Sequence, residues 1–136
     1  ALPSIASVAR LSLTSAPAGG AGWRLVIDHG APLADGPAAA APGTVVAVDD
    51  LFARVPARRK FLKSPRSELA ACLDVVRRLA MARPDVGFEL VHEGRRLISL
   101  APGADAGPAA SVQRLAALLG ADFADNAVPI DLEREG

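Results

Sequence analysis

Cysteine is nearly absent from this 136-residue sequence, which contains only Cys72. A single thiol excludes an internal disulfide framework and a cysteine-rich metal site, and it fits a reducing cytoplasm. The two histidines, His29 and His92, are far apart, each lies near a glycine, and neither has acidic residues at metal-ligand spacing. We interpret both as surface turn residues. The neighbouring carboxylates of Asp49 and Asp50 could bind Mg²⁺, but we favour the interpretation that both are solvated charges in a turn.

Long apolar runs and a strong net charge are also missing. No uninterrupted apolar segment approaches the about 18 to 20 residues that a membrane-spanning helix needs. Fifteen basic and fifteen acidic residues give a formal net charge of zero, so bulk charge does not attract nucleic acid. The sequence has no nucleophile elbow, Walker A loop or dinucleotide fingerprint. It starts without methionine or a secretion signal, and we expect it to begin inside a longer protein.

The periodicity of apolar residues in the first part of the chain predicts a helix followed by three strands. The helix covers residues 4–10, and the strands cover residues 11–15, 23–28 and 43–48. Residues 16–22 and 30–42 are rich in alanine, proline and glycine. We interpret both stretches as connections without secondary structure.

The second part of the chain predicts further helices and strands, and the whole pattern is typical of an α/β (α+β) fold. Ser64 and Pro65 are a helix N-cap and a first helical residue, and the helix runs to about residue 83. Cys72 lies on its apolar stripe, so we place this thiol in the core. The patterns then predict a β-hairpin of residues 86–91 and 96–100, a helix of residues 109–119 and a last strand of residues 127–132.

Residues 51–67, called here the basic segment, contain six cations and no acidic residue. The cations are Arg54, Arg58, Arg59, Lys60, Lys63 and Arg66. Such a cluster suits phosphate oxygens, and each neutralised phosphate would release counterions and give a salt-dependent affinity. A solvated basic loop without any ligand explains the same composition, so the residues by themselves leave both interpretations open.

Residues 43–63 contain Gly-Thr, a valine-rich strand, Leu-Phe and then Pro-Ala-Arg-Arg-Lys-Phe-Leu. This series resembles the signature region of the MutL family of DNA mismatch repair proteins. Residues 1–8 resemble the segment that follows the family's Gly-Phe-Arg-Gly-Glu ATP-lid motif. The predicted long helix and the predicted hairpin are also similar, so the resemblance covers roughly residues 1–100.

The resemblance implies a GHKL-type ATPase whose nucleotide-driven dimerisation passes a signal from a MutS-type mismatch sensor to downstream repair nucleases. Residues 1–55 would form the C-terminal part of the GHKL ATPase sheet, and residues 56–63 a basic junction. Residues 64–136 would begin a second α/β domain that resembles a domain of a ribosomal protein. The longer parent protein would use ATP and Mg²⁺, form a self-dimer and bind DNA. It would act in the bacterial cytoplasm at the nucleoid and would not associate with a membrane.

Few nucleotide contacts carry over from the family to this chain. Thr44 matches a threonine that lies near the adenine, and Ala1 and Leu2 match the end of the lid helix. The family's catalytic glutamate, magnesium-binding asparagine, adenine-reading aspartate and glycine lid would all precede Ala1. We therefore expect no ATP hydrolysis by the chain alone and no tightly bound cofactor.

The predicted DNA contacts lie in the basic segment. Lys60 matches a lysine implicated in DNA contact in the family. The residues that would surround it in a positively charged saddle are Arg58, Arg59, Lys63 and Arg66. Residues 53–55, Ala-Arg-Val, replace the family's Tyr-Asn followed by a small residue, which alters the loop and adds a cation. A stand-alone nucleic-acid-binding module without nucleotide chemistry is the alternative, and an interaction protein with a merely basic surface is a third hypothesis.

Overall fold

The computed structural model describes residues 1–104, 107–120 and 122–128. The chain forms two compact units, one of residues 1–62 and one that starts at Lys63. Each unit combines helices with an antiparallel sheet, which confirms the predicted α+β class. None of the described helices has the length and apolar character that crossing a membrane requires.

The first unit is a four-stranded antiparallel sheet that follows a short helix. Its strand order is β3-β2-β1-β4. The elements are α1 (Leu2–Ala6), β1 (Arg10–Ala16), β2 (Trp23–Asp28), β3 (Ala31–Pro37) and β4 (Gly43–Asp49), and α2 (Pro56–Arg59) comes after the sheet. The three predicted strands are confirmed as β1, β2 and β4. The predicted helix of residues 4–10 is displaced along the chain, since α1 covers Leu2–Ala6. It ends before residue 10 because the carbonyls of Ala6 and Ala9 accept hydrogen bonds from the amides of Gly30 and His29.

Strand β3 corrects the prediction that residues 30–42 are only a connection. His29 and Gly30 both have positive φ, 49° and 89°, and this tight reversal returns the chain beside β2. The prediction gave too much weight to Pro32, Gly36 and Pro37. Because β3 is an edge strand, it needs ladder hydrogen bonds on one side only and tolerates these residues.

The second unit contains two longer helices and a hairpin. Its elements are α3 (Pro65–Ala82), β5 (Phe88–His92), β6 (Arg95–Leu100), α4 (Pro108–Leu119) and α5 (Asp122–Asp125). Ser64 caps α3 as predicted, because its Oγ accepts a hydrogen bond from the Ser67 amide at 3.3 Å. The hairpin turns at Glu93 and Gly94, whose φ angles are 49° and 75°. The predicted long helix, hairpin and second helix are therefore confirmed.

Two further predictions for the second unit have different outcomes. Cys72 is exposed, so placing this thiol in the core was wrong. Helical periodicity shows which residues share a face, but it does not show whether another element covers that face. The predicted last strand of residues 127–132 lies mostly outside the described residues, and Ala127 and Val128 belong to no element.

The cores of both units are built mainly from small side chains. The buried apolar residues among those described are Ala6, Ala9, Leu11, Ala16, Ala80 and Ile98. Larger apolar side chains stay accessible, as in β4, where Val45 is 67% exposed. No large side chain among the described residues is completely buried.

Candidate nucleic-acid interface

The basic segment leaves β4 through a turn that contains two residues in the left-handed region. Asp50 has φ 55° and Phe52 has φ 60°, values that are uncommon for residues with a side chain. The Phe52 amide donates to the Val8 carbonyl at 2.8 Å, and the Ala53 amide donates to the Asp50 carbonyl at 3.0 Å. The first bond attaches the start of the segment to the connection between α1 and β1, and the second closes the turn itself.

The short helix α2 presents three of the predicted DNA contacts. Pro56 occupies its first turn, where the missing amide hydrogen is not needed. Arg58 and Arg59 lie in the last turn, and Lys60 is the C-cap. All three residues are exposed. Cations interact favourably with the carbonyl end of a helix, which offsets part of the repulsion between these neighbouring charges.

Within the basic segment, Arg54 has a carboxylate partner, and its Nη2 lies 2.6 Å from Asp28 Oδ2. The other five cations make no ion pair with any described residue. Glu68, the first acid after the segment, accepts a hydrogen bond from the main-chain amide of Lys63 at 2.7 Å. The positive charge of the five exposed side chains is therefore available to an anionic ligand. They are Arg58, Arg59, Lys60, Lys63 and Arg66.

Asp28, at the end of β2, contacts three basic groups of the first unit. It is only 8% exposed. Its carboxylate lies 2.9 Å from His29 Nδ1, 2.6 Å from Arg54 Nη2 and 3.5 Å from Arg10 Nε. The hydrogen bond to His29 is the main cause that holds the pKa of Asp28 below its ordinary value. Burial opposes this shift, and the charges of Arg54 and Arg10 add to it.

His29 therefore differs from its interpretation as a surface turn residue. It does lie in a turn, but its side chain is only 7% exposed and contacts Asp28. Its Nε2 atom is buried without a hydrogen-bond partner among the described residues. Nothing in the sequence pointed to this cluster, because Arg10, Asp28 and Arg54 come together only when the sheet forms. In the described part of the chain, no group of three His, Cys, Asp or Glu residues could hold a metal ion.

The predicted nucleotide contacts belong to two different elements, β4 and the start of α1. Thr44 Oγ1 and Ser15 Oγ share a hydrogen bond of 2.7 Å near the end of β1. Thr44 also lines an open cleft of about 480 Å³ with Thr14 and residues 39–43 and 45. Ala1 and Leu2 are exposed at the start of α1. No hydrogen bond connects Thr44 to either of them.

A group of planar side chains beside the cations was missed in the sequence. The Arg58 guanidinium carbon lies 6.0 Å from the centroid of the Phe52 ring. Phe52, Arg58, Phe61 and Leu62 line an open cleft of about 190 Å³, and Phe61 is 84% exposed. The signal that could have found this cleft is the interleaving of aromatic and basic residues in the segment.

Sequence comparison places this arrangement among known proteins. The chain is 63% identical over 134 residues to the DNA mismatch repair protein MutL of Sphingopyxis alaskensis, covering 98% of the chain. It is 55% identical over 135 residues to MutL of Rhizorhabdus wittichii, covering 99% of the chain. The chain belongs to the MutL family of DNA mismatch repair proteins. It spans 21% and 22% of the lengths of these two MutL proteins, and no model of a protein family matches it.

Solved structures show the corresponding fold. The Aquifex aeolicus MutL ATPase domain in complex with ADP matches with a TM-score of 0.78 and 30% identity, over 87% of this chain and 47% of that one. A second structure of the ATPase domain of Aquifex aeolicus MutL matches with a TM-score of 0.62 and 34% identity, over 70% of this chain and 39% of that one. The described part of this chain therefore has the α+β fold of MutL ATPase-domain structures.

Proposed function

We propose that this chain is part of a MutL-type mismatch repair ATPase and that its basic segment contacts DNA. The similarity to MutL proteins of bacteria and to an ADP-bound MutL ATPase domain supports the first half. In this proposal, residues 1–55 complete a GHKL ATPase domain, residues 56–63 are the junction and residues 64–136 begin the second domain. The boundary between the compact units, after Leu62, lies at this junction.

The observation that carries the DNA contact is the difference between Arg54 and the other five cations. Arg54 is neutralised by Asp28, whereas Arg58, Arg59, Lys60, Lys63 and Arg66 have no ion-pair partner among the described residues. Binding phosphates through such groups releases condensed counterions and is independent of base sequence. The proposed interface therefore holds the DNA backbone and does not read bases in the duplex.

The proposed nucleotide contacts are Thr44, Ala1 and Leu2, which would complete an ATP and Mg²⁺ site formed mainly by other parts of the parent protein. The chain alone should not hydrolyse ATP. Phosphate release by the purified chain, above the rate of a sample without protein, would contradict this proposal. The parent would act in the cytoplasm at the nucleoid, as a self-dimer between a MutS-type sensor and a repair nuclease.

A salt titration of duplex DNA binding tests the proposed interface. The test variant carries Arg59→Glu and Lys60→Glu. A matched control carries Arg24→Glu and Arg95→Glu, which make the same change in net charge at exposed positions outside the segment. Fluorescence anisotropy should show weaker binding for the test variant at low salt. Its slope of log K against log salt should be smaller by up to about 1.8, because each phosphate that is no longer neutralised reduces the slope by about 0.9.

The control separates a local contact from the effect of net charge. A control variant that retains the wild-type slope, beside a test variant with a reduced slope, supports contact through the basic segment. Identical isotherms for the wild type and the test variant would remove the DNA contact from the proposal. A binding module without nucleotide chemistry would give the same result, but the 30% identity to an ADP-bound MutL ATPase domain favours the ATPase.

A further inference from the structure

The cleft beside α2 combines flat, polarisable faces with free positive charge. Two aromatic rings and one guanidinium group, from Phe52, Phe61 and Arg58, line it together with Leu62. The exposed Arg59 and Lys60 lie between Arg58 and Phe61 in the sequence. All of these residues belong to the first unit. The cleft therefore offers stacking surfaces, and two exposed cations that could bind phosphates lie between its lining residues in the sequence.

Phe61 is the most exposed large apolar side chain of the described residues, at 84%. An isolated exposed apolar residue is ordinary on a protein surface. Phe61 is not isolated, because it lines a cleft together with Arg58 and Phe52. The Arg58 guanidinium carbon lies 6.0 Å from the centroid of the Phe52 ring. A flat ligand that enters this cleft would cover the Phe61 ring and would contact a guanidinium group that lies over the Phe52 ring.

We propose that this cleft takes an unpaired nucleobase of a single-stranded nucleic acid, stacked on Phe61. The phosphates on either side of that base contact Arg59 and Lys60. This inference rests on the proposed function and adds a base-stacking residue to it. Stacking on an aromatic ring is available to every base, because every base has a π-face. The bases of an intact duplex are already stacked on one another and cannot enter.

Charge complementarity decides between a nucleobase and the apolar side chain of a protein partner. An apolar side chain would use the rings of the cleft and leave Arg59 and Lys60 without counter-charges. A nucleotide brings a planar base and a phosphate together in one unit. The side chains of the cleft and the neighbouring cations in the sequence therefore match a nucleic-acid strand better than an apolar peptide.

The experiment compares two labelled strands that have equal numbers of phosphates. One is a single-stranded oligonucleotide of thymidines, and the other has abasic sugars at every position. The full chain should bind the base-bearing strand about tenfold more tightly, since a stacked base contributes roughly this much or more. Phe61→Ala should bind both strands with equal affinity. Phe61→Trp should retain the preference, and on a Trp23→Phe background its fluorescence should be quenched by the base-bearing strand.

Control variants distinguish stacking on Phe61 from a plain apolar contact and from the contribution of charge. Phe61→Leu should lose the preference as Phe61→Ala does, and a preference retained by the leucine variant would overturn stacking in favour of a plain apolar contact. Arg59→Glu should weaken binding of both strands by the same factor. Because Phe61 is largely exposed, its alanine, leucine and tryptophan variants should keep the circular dichroism spectrum of the wild type.

The two proposals fail in different ways. Salt-dependent binding of both strands with equal affinity by the wild-type chain would overturn the base-stacking site and leave the backbone contact standing. Absence of binding to either strand and to duplex DNA at low salt would overturn both. Duplex binding should be the same for Phe61→Ala and the wild type, and a loss of duplex binding in that variant would also contradict the base-stacking site.

Discussion

The Arg54 guanidinium donates a hydrogen bond to Asp28 Oδ2 at 2.6 Å, and this contact attaches the basic segment to the end of β2. The hydrogen bond from the Phe52 amide to the Val8 carbonyl makes a second attachment nearby. The same ion pair neutralises the first cation of the segment. Asp28 therefore influences both the conformation of the turn and the charge that a ligand meets.

The first prediction concerns the charge that Asp28 neutralises. Asp28→Asn releases Arg54, so the segment should present six free cations. At low salt, duplex DNA should bind more tightly, and the slope of log K against log salt should steepen by up to about 0.9. Asp49→Asn makes the same change in net charge at an exposed position where the side chain has no ion pair with a described residue. This control should leave the slope unchanged. Equal slopes for Asp28→Asn and the wild type would contradict this role of Asp28.

The second prediction concerns stability in acid. The pKa of Asp28 is lowered, chiefly by His29, and the pKa of Asp85 is lowered, chiefly by its hydrogen bond to Arg83. A lowered folded-state pKa gives stabilisation that is fully present above the unfolded-state value and is lost as pH falls through the folded-state value. The Tm should therefore decline below about pH 4, in the range where unfolded aspartate is protonated.

Substitutions distinguish the contribution of these two carboxylates to acid unfolding from the contribution of all other titrating groups. The double variant Asp28→Asn, Asp85→Asn should have a lower Tm than the wild type at about pH 6, and its Tm should fall less between about pH 5 and about pH 2.5. Calorimetry across this pH series provides the measurement. A double variant whose Tm falls as far as that of the wild type would show that other groups cause the acid response.

Much of the fold could be predicted from the sequence because local signals and tertiary structure agree. The alternating pattern of β1, the Ser-Pro start of α3 and the turn at residues 93 and 94 each specify a local conformation. Strand β3 could not be predicted, because its residues have low strand propensity and its pairing depends on β2. The position of Cys72 also required the structure, since periodicity defines a face without showing what covers it.

The candidate site could be predicted only in part. The basic segment was evident as a run of residues, and the family resemblance drew attention to Lys60. The ion pair of Arg54 joins residues that are 26 positions apart, and no local pattern encodes it. Outside the candidate site, the role of Arg114 in the second unit was also missed, because a charged residue on a helix is usually solvated. The structure shows this residue only 5% exposed.

The third prediction concerns the start of α3. Ser64→Ala removes the side-chain oxygen that accepts a hydrogen bond from the Ser67 amide, and this should lower the free energy of unfolding by about 1 kcal/mol. Ser64→Asp should retain most of the stability, because aspartate is also a good N-cap and its charge interacts favourably with the helix dipole. Urea unfolding followed by circular dichroism measures both variants. An alanine variant as stable as the aspartate variant would show that the cap is not needed.

The fourth prediction concerns Arg114, which joins three parts of the second unit. Its Nη2 lies 2.7, 2.8 and 2.8 Å from the main-chain carbonyl oxygens of Pro84, Val86 and Ala101, and its two hydrogens are shared among these three acceptors. These carbonyls lie between α3 and β5 and just after β6, so one side chain of α4 connects both ends of the hairpin. The guanidinium carbon also lies 6.0 Å from the Phe88 ring.

Arg114→Met keeps an apolar stem of similar length but leaves these carbonyls without their donor. Because hydrogen bonds to a charged group contribute about 1.5 to 3 kcal/mol, the free energy of unfolding should fall by at least about 2 kcal/mol. Arg114→Lys should rescue it only partly, since a compact ammonium group does not reproduce the planar fork of arginine. Arg95→Met, at an exposed position, should change stability by less than about 0.5 kcal/mol. Equal urea midpoints for Arg114→Met and Arg95→Met would contradict a structural role for Arg114.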